Sequence, residues 1–325
     1  MTREPDTFSL VADIGGTNTR VALAKGPDLL PETIRRYRNA MYPDLETVLR
    51  LFVQEEGDVD CRAASVAIAG PVRDGRGTLT NLDWTIDEET LAQATGAEFA
   101  AVLNDLQAQG HALGRIAGKN LRPVIEGPLP KADATQLVIG IGTGFNAAPV
   151  HHLGSARLVV PSEAGHGNLP IQTAEELRLC RFVQAAHGFP AVEEVLSGRG
   201  LERVHGWLGQ EAGDDTPLGA ADIMAACATG ENPRAKEAVA VFVRLLGRTA
   251  GNLALDHLPF GGVYLAGGVA RAMAPYFVQF GFADAFRDKG RFAEFMQGFS
   301  VAVIEDDYAA LAGSAAHLDR ISDPA

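Results

Sequence analysis

The sequence predicts an α/β protein built as two related halves, and three observations carry that prediction. Strand-like runs alternate with helix-like runs from Phe8 to Asp105, the pattern of a layered α/β fold. A β-hairpin with a glycine tip occurs twice, as LVADIGGTNTRVALA near the start and as QLVIGIGTGFNAAPV in the middle, which points to two copies of one domain. With 325 residues, 46% of them hydrophobic, the chain is long enough to bury two cores.

The elements follow in order. Phe8 to Ala24 reads as a hairpin, FSLVADI and TRVALA around a Gly-Gly turn. In PDLETVLRLFVQEEG, Leu45, Val48, Leu49, Phe52 and Val53 recur at the spacing of one helix face, with Asp44 as N-cap. ASVAIAGPV and GTLTNLDW read as short strands, EETLAQAT as a helix and EFAAVLND as a strand. LRPVIEGPLPKADAT, rich in Pro and charge, reads as a loop or crossover. The second hairpin follows, with Gly140 standing where Asp13 stands in the first. TAEELRLCRFVQAAHG opens a helix with Thr173 and Glu176 in a capping box. ENPRAKEAVAVFVRLLGRTAGNLALDHL carries Val239, Phe242, Val243, Leu246 and Leu253 at helical spacing. GGVYLAGGVARAM reads as a buried strand, a Gly267-Gly268 turn and a helix start, and AALAGSAAHLDRI as a short last helix.

Composition bounds the function. Lys+Arg 28 against Asp+Glu 41 gives a net charge of -13, which repels polyphosphate backbones, and no basic patch offsets it. Nucleic acid is therefore not an expected partner. Cys61, Cys180 and Cys227 are odd in number, far apart and in no CxxC spacing, so neither a disulfide framework nor a zinc site is indicated and a reducing cytosol fits. MTREPDTFSLVADIGG lacks the apolar core of a signal peptide, and no run approaches the ~18 apolar residues of a membrane span. The expectation is a cytoplasmic protein without membrane contact. His151 and His152 read as surface or core residues.

Several motifs carry chemistry. A glycine pair alone satisfies a hairpin turn, which leaves Asp13 and Thr17 of DIGGTNTR without a structural task. DIGGTN, GIGTGFN and LAGGVA each place glycines at a strand end, where the backbone N–H groups of a concave turn can cradle a phosphate. One such turn is ordinary; three in a two-copy chain point to a nucleotide. Neither GxxxxGK[ST] nor a helix-opening GxGxxG with a following acidic residue is present. In VLND, Asn104 and Asp105 end a strand before the helix DLQAQGHAL, where they read as an N-cap pair or as an active-site carboxylate with its neighbour. PSEAGHG sets Glu163 and His166 at E-x-x-H spacing. That spacing on a helix suits a di-metal site, but Pro161, Gly165 and Gly167 favour a loop with two polar side chains turned the same way. In EEVLSG, Glu193 and Glu194 read as a solvated helix face on spacing alone.

The order DIGGTN, LTNLDW, VLND, GIGTGFN, PSEAGHG, EEVLSGRG and GGVYLAGG closely resembles the bacterial glucokinase family of the actin-like and hexokinase-like sugar kinases, from Leu10 to about Leu318. The resemblance implies two actin-like (ribonuclease H-like) α/β domains around a central cleft. Residues 1–115 with 306–325 would form the smaller domain and 116–305 the larger, the last helix packing back on the first. It implies a first phosphate loop at Asp13, Gly15, Gly16, Thr17 and Asn18, a second at Gly142, Thr143 and Gly144, and an adenosine contact at Gly267 and Gly268. Asp13 would hold Mg2+ through water, and Thr17 and Thr143 would donate hydroxyls to phosphate. Asp105 matches the family's catalytic base, and Asn104, Asp105, Glu163, His166 and Glu193 its sugar contacts, with Asn81 at the pocket rim.

The implied activity is ATP-dependent phosphorylation of glucose at its 6-hydroxyl, in a homodimer. Mannose, fructose or an amino sugar is the near alternative. A non-catalytic sugar or nucleotide sensor is the distant one, and it would need neither Asp13 nor Asp105. Asn146, Ser162 and Ala164 stand where many relatives carry glycine; Asn146 is expected to preserve the turn because asparagine tolerates left-handed backbone. The CxCGxxGC motif and the N-terminal helix-turn-helix of the repressor branch are absent from the sequence, so DNA binding is not expected.

Overall fold

A computed structural model describes residues 7–79, 82–154 and 156–322. The chain divides into two compact units, Met1–Ala117 with Asp306–Ala325, and Gly118–Glu305.

In the first unit, β1 (Phe8–Ile14) and β2 (Asn18–Lys25) form the predicted hairpin. The main sheet runs β3 (Asp28–Leu29), β2, β1, β5 (Cys61–Ile68), β9 (Phe99–Asn104), with β4 (Arg35–Arg38) paired to β2. β1, β5 and β9 are parallel, and Ile14, Ile68 and Asn104 stand in one row across them, so the three strands end on one edge. β6 (Val72–Arg73), β7 (Arg76–Thr78) and β8 (Thr85–Asp87) make a small antiparallel sheet. GTLTNLDW is therefore not one strand: β7 ends at Thr78. Thr80 and Asn81 lie outside the described residues.

Alternation along β1 builds a core on each face. Leu10, Ala12 and Ile14 join Leu45, Val48, Leu49 and Phe52 of α1 (Leu45–Glu55) and Leu91 of α2 (Glu88–Thr95). Asp44 caps α1 by accepting the Thr47 N–H at 2.7 Å. On the other face Val11 packs with Leu311, Ala315 and Leu318 of α10 (Ala309–Ser322). α10 also lies on α3 (Asp105–Ala112), so closely that a Cβ on Gly313 would overlap the Ala108 carbonyl.

The second sheet runs β10 (Leu121–Ile125), β15 (Val301–Ile304), β14 (Val263–Ala266), β11 (Gln136–Ile141), β12 (Phe145–Leu153), β13 (Ala156–Val159), with β11, β14 and β15 parallel. From β13 to β15 this repeats the order and directions of the path from β3 to β9. The hairpins correspond: Asp13 pairs with Arg20 in the first, Gly140 with Asn146 in the second. LRPVI, expected as loop, is the strand β10. It lies on the sheet edge, where Pro123 is tolerated because an edge strand need not donate every N–H.

The helices of this unit are α4 (Ala174–His187), α5 (Gly198–Ala212), α6 (Ala220–Thr229), α7 (Pro233–His257), α8 (Gly268–Met273) and α9 (Phe282–Arg287). α7, with Val239, Phe242, Val243 and Leu246 buried, is the core helix. Among the described residues it alone is long and apolar enough to cross a membrane, and 78% of its apolar window is buried in the protein. Arg248 of α7 donates to Glu176 at 2.9 Å, and Glu176 completes the capping box of α4 by accepting the Thr173 N–H at 3.1 Å.

Two predictions follow from the packing of α3 on α10. Gly313→Ala forces one helix off the other, and urea unfolding should report a loss of ~1–3 kcal/mol. The His111 and His317 rings lie 4.5 Å apart between the helices. Burial, and then the Arg320 charge, push His317 down from 6.5 to about 4. The unfolded chain binds this proton near 6.5 and the folded chain only near 4, so stability falls as pH drops through that window. His317→Gln should remove ~3 kcal/mol of that fall, seen by comparing unfolding at neutral and acid pH.

Candidate active site

The parallel strands of the first unit deliver Asp13, Asn104 and Asp105 to one edge. In open α/β sheets that carboxyl edge is where ligands bind. Asp13 is the penultimate residue of β1, with an 18% exposed side chain, and Arg20 Nη1 donates to its Oδ2 at 3.0 Å across the hairpin. Burial pushes the Asp13 carboxyl above the usual range, and the Arg20 guanidinium pulls against that rise. The turn beyond it is closed by the Gly15 N–H donating to Asn18 O at 3.0 Å, with Gly16 and Thr17 exposed at its tip.

Asn39 braces this turn. Its Nδ2 donates to Gly15 O at 2.8 Å, its N–H to Thr17 O at 3.0 Å, and its Oδ1 accepts from Thr19 Oγ1 at 2.9 Å. Sequence reasoning missed it, since one asparagine in RNAMYP carries no spacing signal.

Two strands away, Asn104 ends β9, and its row partner Ile14 is two sheet spacings off, ~10 Å. Asn104 is the N-cap of α3: its Oδ1 accepts the Leu106 N–H at 3.0 Å and its N–H donates to Gln107 Oε1 at 3.1 Å. Its Nδ2 donates to Gly70 O at 2.9 Å. The capping role expected from sequence is thus present, and it fixes the first residue of the helix, half-buried Asp105.

The second unit brings the other glycine motifs together. The Gly142 N–H donates to Gly144 O at 2.9 Å, leaving Thr143 exposed at the tip, and the Gly198 N–H at the start of α5 donates to Gly142 O at 2.9 Å. β14 runs beside β11, with Ala266 in register with Gly140, which puts Gly267 and Gly268 next to that turn. Gly267 has φ +100°, and a Cβ there would overlap Ile141 O, so the approach requires glycine.

PSEAGHG is a loop with one 3-10 turn, Ala164–His166, as expected. Glu163 Oε2 and His166 Nε2 lie 3.8 Å apart, with side chains 61% and 67% exposed. Glu193 is in a turn ahead of α5, so the helix-face alternative falls away. Its Oε2 accepts the Phe145 N–H at 2.9 Å, and its own N–H donates to Gly165 O at 2.9 Å. It therefore ties the glycine turn to the Glu163 loop. Glu194, read as solvated, is ion-paired with Arg203, its Oε2 2.7 Å from Nη1, and its main-chain oxygen accepts from the same Nη1 at 3.2 Å. Asn146 does not use left-handed backbone; it sits in β12, and its side chain reaches the Glu163 loop.

Among the described residues no group of three or more His, Cys, Asp or Glu could hold a metal ion. A lone carboxylate such as Asp13 suits Mg2+, which takes one or two carboxylates and completes its shell with water and phosphate oxygens.

The model of the family described as Glucokinase matches residues 10–321. The glucokinase of Chromobacterium violaceum is 35% identical over 322 residues, covering 97% of this chain and 92% of its own length. That of Saccharophagus degradans is 34% identical over 318 residues, covering 96% and 98%. Among crystal structures, a glucokinase from an Antarctic psychrotroph superposes with a TM-score of 0.85 at 28% identity, covering 97% of this chain and 99% of that one. A ROK family glucokinase from Streptomyces griseus, solved with glucose and AMPPNP, shares the fold with a TM-score of 0.64 at 20% identity, covering 96% and 99%. Matched by the family model from residue 10 to 321 and by relatives 34–35% identical over nearly its whole length, the chain belongs to the glucokinase family.

Proposed function

We propose that this enzyme transfers the γ-phosphoryl group of ATP to the 6-hydroxyl of glucose, giving glucose 6-phosphate and ADP. The observation that carries it is the placement of Asp13 and Asp105 at one strand-end edge, the first beside a glycine turn and the second at the start of a helix. Family membership supports the same chemistry, as do the glucose and AMPPNP held by the Streptomyces griseus relative.

In this mechanism Asn104, Asp105, Glu163, His166 and Glu193 hydrogen-bond the hexose hydroxyls. Asp105 orients the 6-hydroxyl and accepts its proton as the oxygen attacks phosphorus and the bond to the leaving ADP breaks. A carboxylate is a weak base toward an alcohol, so the proton moves late along a loose transition state. Backbone N–H groups of Gly15, Gly16, Thr17 and Asn18, and of Gly142, Thr143 and Gly144, hold the phosphates, with hydroxyls from Thr17 and Thr143; Gly267 and Gly268 take the adenosine. Asp13 would hold Mg2+ through water, and that ion, when bound, neutralises charge on the β- and γ-phosphate oxygens. The two units serve as the actin-like domains of the family, in a homodimer at the entry to glycolysis. Three unbridged cysteines fit the reducing cytoplasm where such an enzyme works.

Purified protein with Mg-ATP should consume ATP rapidly with glucose and slowly without sugar. A lack of sugar-dependent turnover across glucose, mannose, fructose and N-acetylglucosamine would overturn the assignment. Asp105→Asn should lower kcat by about 10²–10⁴-fold with an unchanged melting temperature; near-normal turnover would remove Asp105 as base.

The Asp13 carboxyl, raised by burial, protonates before an ordinary aspartate as pH falls, and use of Mg-ATP falls with it. Arg20→Gln removes the charge that opposes this rise. The acid limb of kcat/KM for ATP should then move to higher pH, and an unmoved limb would take Asp13 out of metal binding.

A further inference from the structure

We infer that Asn146 is a positioning residue that sets the affinity for hexose by fixing the main chain that presents Glu163, an inference that rests on the glucokinase activity proposed above. Asn146 is the second residue of β12, directly after the glycine turn, and pairing with Gly140 holds its backbone. Because Gly140 has no side chain, nothing across the hairpin engages the Asn146 amide as Asp13 engages Arg20. The amide turns instead to the loop that carries Glu163.

Its Oδ1 accepts the Ala164 N–H at 3.0 Å and the Ala147 N–H at 2.8 Å. Its Nδ2 donates to Ser162 O and lies 3.5 Å from Glu163 Oε2. Ser162 Oγ, which donates to Ala147 O at 2.7 Å, is also 3.3 Å from Oδ1. The residues on both sides of Glu163 are thus bonded to one side chain.

The remainder of the loop is secured elsewhere, by the Glu193 N–H on Gly165 O at 2.9 Å and the Val192 N–H on Gly167 O at 3.0 Å. Glu163 itself is 61% exposed, so burial does not fix it and its placement depends on the main chain beneath. The task needs an amide: an acceptor facing two N–H groups, and a donor facing a carbonyl and a carboxylate. Aspartate has the same shape but would put a second carboxylate against Ser162 O and Glu163.

The test measures KM for glucose and for ATP, and glucose affinity by calorimetry without nucleotide, in wild type, Asn146→Ala and Asn146→Asp. KM and Kd for glucose should each rise about tenfold in Asn146→Ala, the weight of one or two lost hydrogen bonds. The rise should be larger in Asn146→Asp and should shrink as pH falls toward carboxylate protonation. KM for ATP should stay within about twofold and kcat should fall less than KM rises, a split that general loosening of the fold would not produce. Glucose constants unchanged in both variants, or ATP and glucose constants rising together, would overturn the inference. Should Asn146→Ala fail to fold, the isosteric Asn146→Asp and Ser162→Ala, which removes the hydroxyl bond to Ala147 O, carry the same test. Wild-type ATP turnover that needs no sugar would overturn the glucokinase activity itself, a result distinct from a sugar-dependent wild type with indifferent variants.

Discussion

The hydrogen bond from the Phe145 N–H to the Glu193 carboxylate, 2.9 Å long, is the contact around which the second half of the site is arranged. It joins the end of the glycine turn to the turn before α5. Through the Glu193 N–H on Gly165 O it also joins both to the Glu163 loop. Such a junction leaves no room for side chains. A Cβ on Gly144 would lie 2.5 Å from Glu193 Oε2, and one on Gly165 would overlap Phe145 O. The glycines that look like phosphate-loop glycines are thus also packing glycines. A charge-assisted hydrogen bond is worth ~1.5–3 kcal/mol, enough to couple the glycine turn to the Glu163 loop. The carboxylate that makes this contact keeps further lone pairs as acceptors.

The two sheets show how one topology is put to two uses. Each sets a hairpin beside two further parallel strands, and each gathers polar groups where those strands end. The position before the last residue of the leading strand decides what its partner does. Asp13 in the first copy engages Arg20 and leaves a carboxylate beside the turn. Gly140 in the second has no side chain to engage its partner, and that partner, Asn146, becomes a loop anchor. Repetition supplies the scaffold, and single substitutions at one register position supply the difference in chemistry.

What could be read from the sequence was what depends on near neighbours. The hairpins, the Asp44 cap, the Thr173 and Glu176 capping box and the loop character of PSEAGHG are settled within a few residues, and each is found in the structure. β10 has the composition of a loop; it is a strand because β15, from the far end of the unit, pairs with it. Glu194 reads as solvated from spacing because its ion-pair partner Arg203 sits on the next helix. Asn39 carries no sequence signal, and Asn146 reads from sequence as a turn residue, for the same reason: each matters through groups that another part of the chain brings to its side chain. Motif order lies within the sequence, whereas the residues that hold the motifs in shape act through contacts between distant parts of the chain.

The position of Asp105 shows how far that dependence reaches. Asp105 begins an eight-residue helix, too short to be stable by itself in water. Asn104 fixes where the helix starts, and α10 fixes where it lies, through the close approach at Gly313 and the His111–His317 ring contact. α10 comes from the end of the chain, so the helix that carries the candidate base is seated against an element from the far end of the sequence. The apolar face of α10, with Leu311, Ala315 and Leu318 against Val11, Ala22 and Ala63, drives that return by burial. The first strand, the base helix and the last helix therefore form one cooperative layer. A change in any of them should reach Asp105 through packing even where it touches no substrate.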